Sequence, residues 1–201
     1  MKVLVACEES QRVTIEFRKL GIEAYSCDVL DCSGGYPEWH IKGDAIKEAY
    51  SGKYDMMIAH PPCTYLSNAG ARFLYPKGIL NQERYKKGLE AKDFFMKLLN
   101  APIGKICVEN PVQSKIFNIP KYSQIVQPYY FGDPFKKKTC LWLKNLPLLR
   151  HTHVVNAPES TKIAGNWFNK GGKDRQKNRS KTFEGIAKAI ANQWGNEKIK
   201  L

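Results

Sequence analysis

The sequence predicts an α/β fold with a doubly wound, mostly parallel sheet, and three observations lead there. Short apolar runs of strand length alternate with helical stretches over the first two-thirds of the chain, as in a parallel sheet with helices on both faces. At 201 residues the chain suffices for one such domain with a substantial core and is too short for two full-sized ones. The residues able to do chemistry gather just past the ends of the runs, where open α/β sheets bind ligands.

The elements follow in chain order. Residues 2–6 (KVLVA) are valine-rich and unbroken, which suits a strand buried on both faces. Residues 13–20 carry apolar side chains at helical spacing and stop at Gly21, a common helix end. Residues 22–27 read as a second strand closed by Asp28, and residues 54–59 (YDMMIA) as another running into His60-Pro61-Pro62. Residues 82–99 form a long amphipathic helix, and 105–109 (KICVE) a strand that Asn110-Pro111 ends. Residues 125–130 and 139–143 look like paired strands across Gly132-Asp133-Pro134, and 183–194 is a closing helix. Residues 144–180 are polar, with Pro, Gly and Lys, and read as a loop segment within a single domain spanning 1–201.

Composition narrows the function classes. The net charge of +13 makes polyanions natural partners, through counterion release from phosphates. Part of the excess is local, at Lys136 to Lys138 and in residues 170–181, which hold six Lys or Arg and one Asp. A merely solvated basic loop is the plainer account of the second run. No apolar run approaches the ~20 residues that span a bilayer, and MKVLVACEES reads as a core strand and polar turn rather than a signal peptide. A cytoplasmic protein is therefore expected. Six cysteines, at 7, 27, 32, 63, 107 and 140, form no CxxC pair, and several sit in strand-like runs where the thiol is a small buried hydrophobe. Neither a disulfide framework nor a metal site is expected.

Two strings stand out. In His60-Pro61-Pro62-Cys63-Thr64-Tyr65-Leu66-Ser67-Asn68-Ala69-Gly70, a cysteine follows two prolines at a strand end. Proline fixes its own φ and restricts its predecessor, so the thiol is held at one angle, as a nucleophile needs. Taken alone, Pro-Pro-Cys is more often a structural turn. In Val108-Glu109-Asn110-Pro111 an acid ends a buried strand; burial raises a carboxyl pKa and would equip Glu109 to give or take a proton. The alternative is a carboxylate accepting backbone hydrogen bonds beside the turn.

Together, and in this order, the strings resemble the cytosine-5 DNA methyltransferase family, in which a Pro-Cys motif supplies the nucleophile and a Glu-Asn motif the acid. Phe131-Gly132-Asp133-Pro134-Phe135-Lys136-Lys137-Lys138 looks like the family's later Tyr-Gly-x-Pro-Gln-x-Arg-x-Arg motif, with Lys137 at the first arginine. Gly43-Asp44 resembles the motif that contacts the adenine of the cofactor, and Asp28 stands in the place of the acid that holds the ribose hydroxyls. The helix from Thr182 to Gln193 is similar to the last motif, which folds against the methionine end of the cofactor. The resemblance covers nearly the whole chain and is greatest to compact methylase-like proteins of bacteriophage genomes, which carry the same AHPPCTYL, VENP and LWLK strings.

The resemblance implies a Rossmann-like domain of the S-adenosylmethionine-dependent methyltransferase type. It implies S-adenosyl-L-methionine as cofactor, held by Cys7, Glu8, Ser10, Asp28, Asp44 and Pro61. Cys63, Glu109 and Lys137 would act on a cytosine, while Pro62, Ser67, Asn68, Asn110, Arg175, Lys177 and Arg179 would hold the DNA around it. If the chain is phage-encoded, the compartment is the host cytoplasm.

Three departures bear on these expectations. Ala6-Cys7-Glu8-Glu9-Ser10 replaces a Gly-rich Phe-x-Gly-x-Gly turn. Thr139 stands where the later motif has its second arginine. Larger members insert a long target-recognition region before the closing helix, where this chain has only the segment 144–180. The same chemistry on a single strand or a free cytosine nucleotide is thus an alternative to duplex DNA. A catalytically silent relative and a nucleic-acid-binding module without methyl chemistry are the other two.

Overall fold

The computed structural model describes residues 1–156 and 180–196. The strands are β1 (Lys2–Ala6), β2 (Glu23–Asp28), β3 (His40–Lys42), β4 (Met56–Ala59), β5 (Lys105–Pro111), β6 (Gln124–Val126) and β7 (Thr139–Lys144). They form one sheet in the order β3-β2-β1-β4-β5-β7-β6. The helices are α1 (Arg12–Lys19), α2 (Ala45–Ala49), α3 (Asn68–Ala71), α4 (Gln82–Leu99) and α5 (Glu184–Gly195).

The α/β class is as expected, but the mostly parallel sheet is a mixed one. The pairs β1–β2, β2–β3, β1–β4 and β4–β5 are parallel, whereas β7 runs antiparallel to both β5 and β6. The cause is local. β6 and β7 are consecutive and joined without a helical crossover, so they meet antiparallel, and β7 lies between β5 and β6. The first five strands follow the doubly wound order 3-2-1-4-5, with its reversal between β1 and β4, the position of the ligand crevice in such sheets.

Alternation along β1 divides the core. Val3 and Val5 face one side, with Val13 and Phe17 of α1 and Ile186, Ile190 and Trp194 of α5. Leu4 and Ala6 face the other, with Ala45 and Ala49 of α2 and Phe95 and Leu98 of α4. All four are fully buried, which explains why the run reads as continuously apolar rather than alternating.

Most expected elements form, with boundaries moved by one or two residues. β5 continues through Asn110 and Pro111, which pair with Cys140 and Thr139, so Asn-Pro does not end it. The expected strand over 125–130 contracts to β6, because Pro128 opens a 3-10 turn over Pro128–Tyr130. β3, α2 and α3 have three to five residues each and too little periodicity to be read in advance.

Candidate functional site

Register brings the ends of β1 and β4 level with each other. Ala6 pairs with Ala59, and Ala59 with Val108, so Cys7 and His60, just past β1 and β4, stand level with Glu109 within β5. The two strings picked out by sequence, 46 residues apart from Cys63 to Glu109, therefore meet where β4 ends beside β5. They are also tied together. Asn110, 1% exposed, donates from Nδ2 to the Pro61 carbonyl at 2.8 Å, and its Oδ1 accepts from Gln113.

Beyond Pro61 the loop is held at several points. The Ser67 amide donates to the Cys63 carbonyl at 3.1 Å. The Ser67 hydroxyl caps α3 by accepting from the Gly70 amide at 3.2 Å, and Ser67 bridges to Gln113. The Asn68 amide donates to the Val112 carbonyl at 3.0 Å and the Ser114 amide to the Leu66 carbonyl at 2.8 Å. From α4, Arg84 donates to the carbonyls of Thr64 and Gly70 at 3.2 and 3.1 Å, and lies over the rings of Tyr65 and Phe73. A Cβ on Gly70 would run into the Thr64 carbonyl, so this approach needs glycine. Cys63, half-buried and in no disulfide, thus sits on a loop pinned from β5 and α4. Pro61 is buried and Pro62 exposed; Ser67 and Asn110 are buried, and Asn68 is exposed.

Glu109 corrects an expectation. Burial does push its carboxyl up, but the His60 hydrogen bond, the Lys137 ammonium, the imidazole charge and the Thr139 hydroxyl outweigh it, and the net shift is downward. The expected raised pKa considered burial alone. His60 Nδ1 lies 3.1 Å from Glu109 Oε2, with the two side chains 8% and 17% exposed. Thr139 reaches Glu109 because it lies on the neighbouring strand two residues from Leu141, the register partner of Glu109. The position that lacks the second arginine thus supplies a hydroxyl to the acid.

Around the first loop, Cys7 and Gln11 both adopt left-handed backbone, with φ of 59° and 57°. Burial, with Asp28, Cys27 and Asp44 nearby, raises the Cys7 thiol pKa. Glu8, 4% exposed, turns inward: it accepts from the amides of Val13 and Thr14 at 2.7 and 3.3 Å and from the Thr14 hydroxyl at 2.8 Å. Its carboxylate closes the first turn of α1. Burial raises its pKa against the opposing pull of His60, Val13 and Thr14. Ser10 is half-buried and abuts Gly34, where a Cβ would meet the Ser10 carbonyl and the Gln11 side chain. Gln11 exchanges hydrogen bonds with the backbone of Tyr36, at 2.8 and 3.1 Å, which folds residues 33–36 against the loop. Asp28 and Asp44 each commit Oδ1 to their own turn, Asp28 to the Leu30 amide at 3.0 Å and Asp44 to the Ile46 amide at 2.8 Å as the cap of α2.

The later motif joins the closing helix. Asp133 Oδ2 accepts from the Gly185 amide at 2.9 Å, and a Cβ on Gly185 would collide with the Phe131 carbonyl. Lys137, half-buried, donates its amide to Gln127 Oε1 at 2.9 Å and extends its ammonium over the Phe183 ring. Arg175, Lys177 and Arg179 lie outside the described residues. Of the expected residues, Lys137 lies near Glu109, and Asn110 ties the loop that carries Cys63 to β5. Cys7, Asp28 and Asp44 gather on the neighbouring side, beyond β1, β2 and β3. Sequence reasoning missed His60 and Arg84. His60 stands inside the string already singled out, while nothing near Arg84 marks it. No group of three or more metal-capable side chains occurs among the described residues, and no described helix is long and apolar enough to cross a membrane.

No protein-family model and no curated protein matches the chain. Among solved structures it is similar to a candidate DNA modification methyltransferase encoded within an E. coli prophage, at 12% identity and a TM-score of 0.43. The alignment covers 71% of this chain and 46% of that one, so the chain spans less than half the length of that protein.

Proposed function

We propose that this protein is an S-adenosylmethionine-dependent cytosine-5 methyltransferase acting on DNA, with Cys63 as nucleophile and Glu109 as its acidic partner. The observation that carries this reading is the clasp between the two strings: Asn110 holds the Pro61 carbonyl at 2.8 Å, so the loop that carries the thiol is tied to the strand that carries the carboxylate. A structural Pro-Pro-Cys turn has no need of a buried carboxylate with a histidine, a lysine and a threonine gathered on it.

Carbon 5 of cytosine is a poor nucleophile until a thiolate adds at carbon 6. Cys63 forms the sulfur–carbon 6 bond, and the electron pair of the 5,6 double bond is drawn toward the N3 edge. Glu109, an anion near neutral pH by virtue of its lowered pKa, accepts the amino N–H of that edge. Lys137 faces the same carboxylate and offers a positive charge beside the base. The electron pair would return through carbon 5 to a methyl carbon whose bonding electrons leave with the donor sulfur; a base then removes the carbon 5 proton, and the electrons of that C–H bond re-form the 5,6 double bond and expel the Cys63 thiolate. A base in a duplex must first be flipped out, at a cost of roughly a few kcal/mol.

The residues beyond β1, β2 and β3 fit the cofactor. Asp28 and Asp44 each retain Oδ2 without a hydrogen bond among the described residues, as acceptors for ribose hydroxyls and an adenine amino group. The left-handed Cys7 turns the backbone at the sheet's reversal point, where strained backbone commonly marks a ligand site. When bound, S-adenosylmethionine supplies an electrophilic methyl group. Glu8, committed to α1, shapes the loop rather than offering a free carboxylate.

The test is incubation with labelled S-adenosylmethionine and a panel of duplex DNA, single-stranded DNA, RNA and dCMP. Label in cytosine of DNA, and a covalent adduct with DNA containing 5-fluorocytosine that Cys63→Ser abolishes, is the expected result. Absence of transfer to any member defeats the reading. The short stretch between β7 and α5 favours a second reading, a single strand or free cytosine nucleotide as substrate, which label confined to those members would establish.

A further inference from the structure

We propose that His60 is the positioning residue of this site: its Nδ1–H holds Oε2 of Glu109 and so sets the direction in which the carboxylate meets the edge of the cytosine. The inference rests on the function proposed above and adds a residue to it. Three observations carry it.

The first is geometry. Nδ1 stands 3.1 Å from Oε2, and an ionised carboxylate only accepts, so the hydrogen lies on Nδ1. The second is rigidity. The imidazole follows β4 where β1 also ends, level with Glu109 of β5, and its own amide donates to the Ala6 carbonyl at 2.9 Å. Pro61 follows it and restricts its backbone. Its side chain is 8% exposed. A ring so held transmits its orientation to the carboxylate.

The third is that Nε2 is buried and has no hydrogen-bond partner among the described residues. A histidine kept for packing has both ring nitrogens satisfied, and a buried polar atom left open is rare enough to need a reason. Here the ring's direction is set by Glu109 rather than by its own complete satisfaction. The charged groups around it are Glu8 from the first loop, Glu109 from β5, and Lys137, which acts on the same carboxylate from the segment before β7. Glu8 is occupied by α1, so Glu109 is the acid that His60 directs.

The experiment compares His60→Ala with His60→Asn, whose side-chain amide can replace the Nδ1 donor. Two quantities are read after thermal unfolding has established that both variants fold. One is the titration of the Glu109 carboxyl carbon by NMR, assigned with Glu109→Gln. In His60→Ala it should move to higher pH, because a hydrogen bond and a positive neighbour that lower it are gone; His60→Asn should bring it part of the way back. The other is methyl transfer. His60→Ala should lower kcat about 10- to 100-fold, the loss of one hydrogen bond to a charged group, with KM for S-adenosylmethionine unchanged. The acid limb of its pH profile should shift upward, and His60→Asn should recover most of the rate. An unmoved Glu109 titration, or an Asn variant as slow as the Ala variant, overturns the proposal. The titration needs no substrate. If Glu109 responds to His60 but no DNA or nucleotide is methylated, the pairing stands and the proposed function falls.

Discussion

Asn110 bears on the site from beneath, through a buried hydrogen bond donated to Pro61 and a half-buried one accepted from Gln113. Asn110→Ala removes both and leaves the Pro61 carbonyl unsatisfied, which should cost about 1–3 kcal/mol in a urea titration. It should also slow methyl transfer by detaching the thiol loop from Glu109. Glu109 yields a prediction with a defined pH window. Its folded pKa lies below the ordinary value, so its ionisation stabilises the fold above the unfolded pKa of about 4.3 and ceases to as pH falls through the folded value. The stability lead of wild type over Glu109→Gln should therefore be full at pH 7 and shrink below about pH 4. A gap that grows on acidification would mean that the carboxyl is raised instead. At this scale the sequence marked the acid and the thiol but not the sign of the shift. Burial follows from the apolar run around Glu109, whereas His60 and Thr139 reach it from other strands.

Among the elements, the legible ones were those with enough residues to show a period: β1, α1, β2, α4, β5 and α5. β3 and α2 were not, since three and five residues carry almost no pattern. α2 nevertheless announces itself at Asp44, an N-cap that the family resemblance had drawn toward the cofactor instead. One residue can serve both, with Oδ1 on the helix and Oδ2 outward. The closing helix depends on a contact that periodicity does not reveal. Gly185 lets α5 settle against Phe131 and Asp133, so Gly185→Ala should force the two apart. We expect a loss of about 1–3 kcal/mol, as for other overpacked sites, read as a lower Tm. An unchanged Tm would show that the helix start can shift freely.

On the scale of the whole molecule, the charge of +13 and the short stretch between β7 and α5 pull in different directions. The charge suits a polymer, and the segment leaves little to read its sequence. Binding to DNA should weaken steeply with salt, by a slope of roughly 0.9 in log affinity per phosphate contact for duplex and about 0.7 for a single strand. Reversing Arg175, Lys177 and Arg179 to glutamate should flatten that slope and lower DNA affinity, with cofactor affinity unchanged in calorimetry. If the triple variant binds DNA like wild type at ~0.15 M salt, the run serves solubility. The doubly wound half of the sheet was legible because alternation of strands and helices implies it. The reversed β7 was not, since strand direction depends on where the chain re-enters the sheet.

The clasp between Asn110 and Pro61 also orders events in time. Its partners are 49 residues apart in the chain, and the thiol loop is synthesised first. At about 5–20 residues per second, roughly 2–10 s pass on the ribosome before the asparagine exists. A nascent chain therefore carries the Cys63 loop without its tie to β5, and the clasp closes only when β5 docks beside β4.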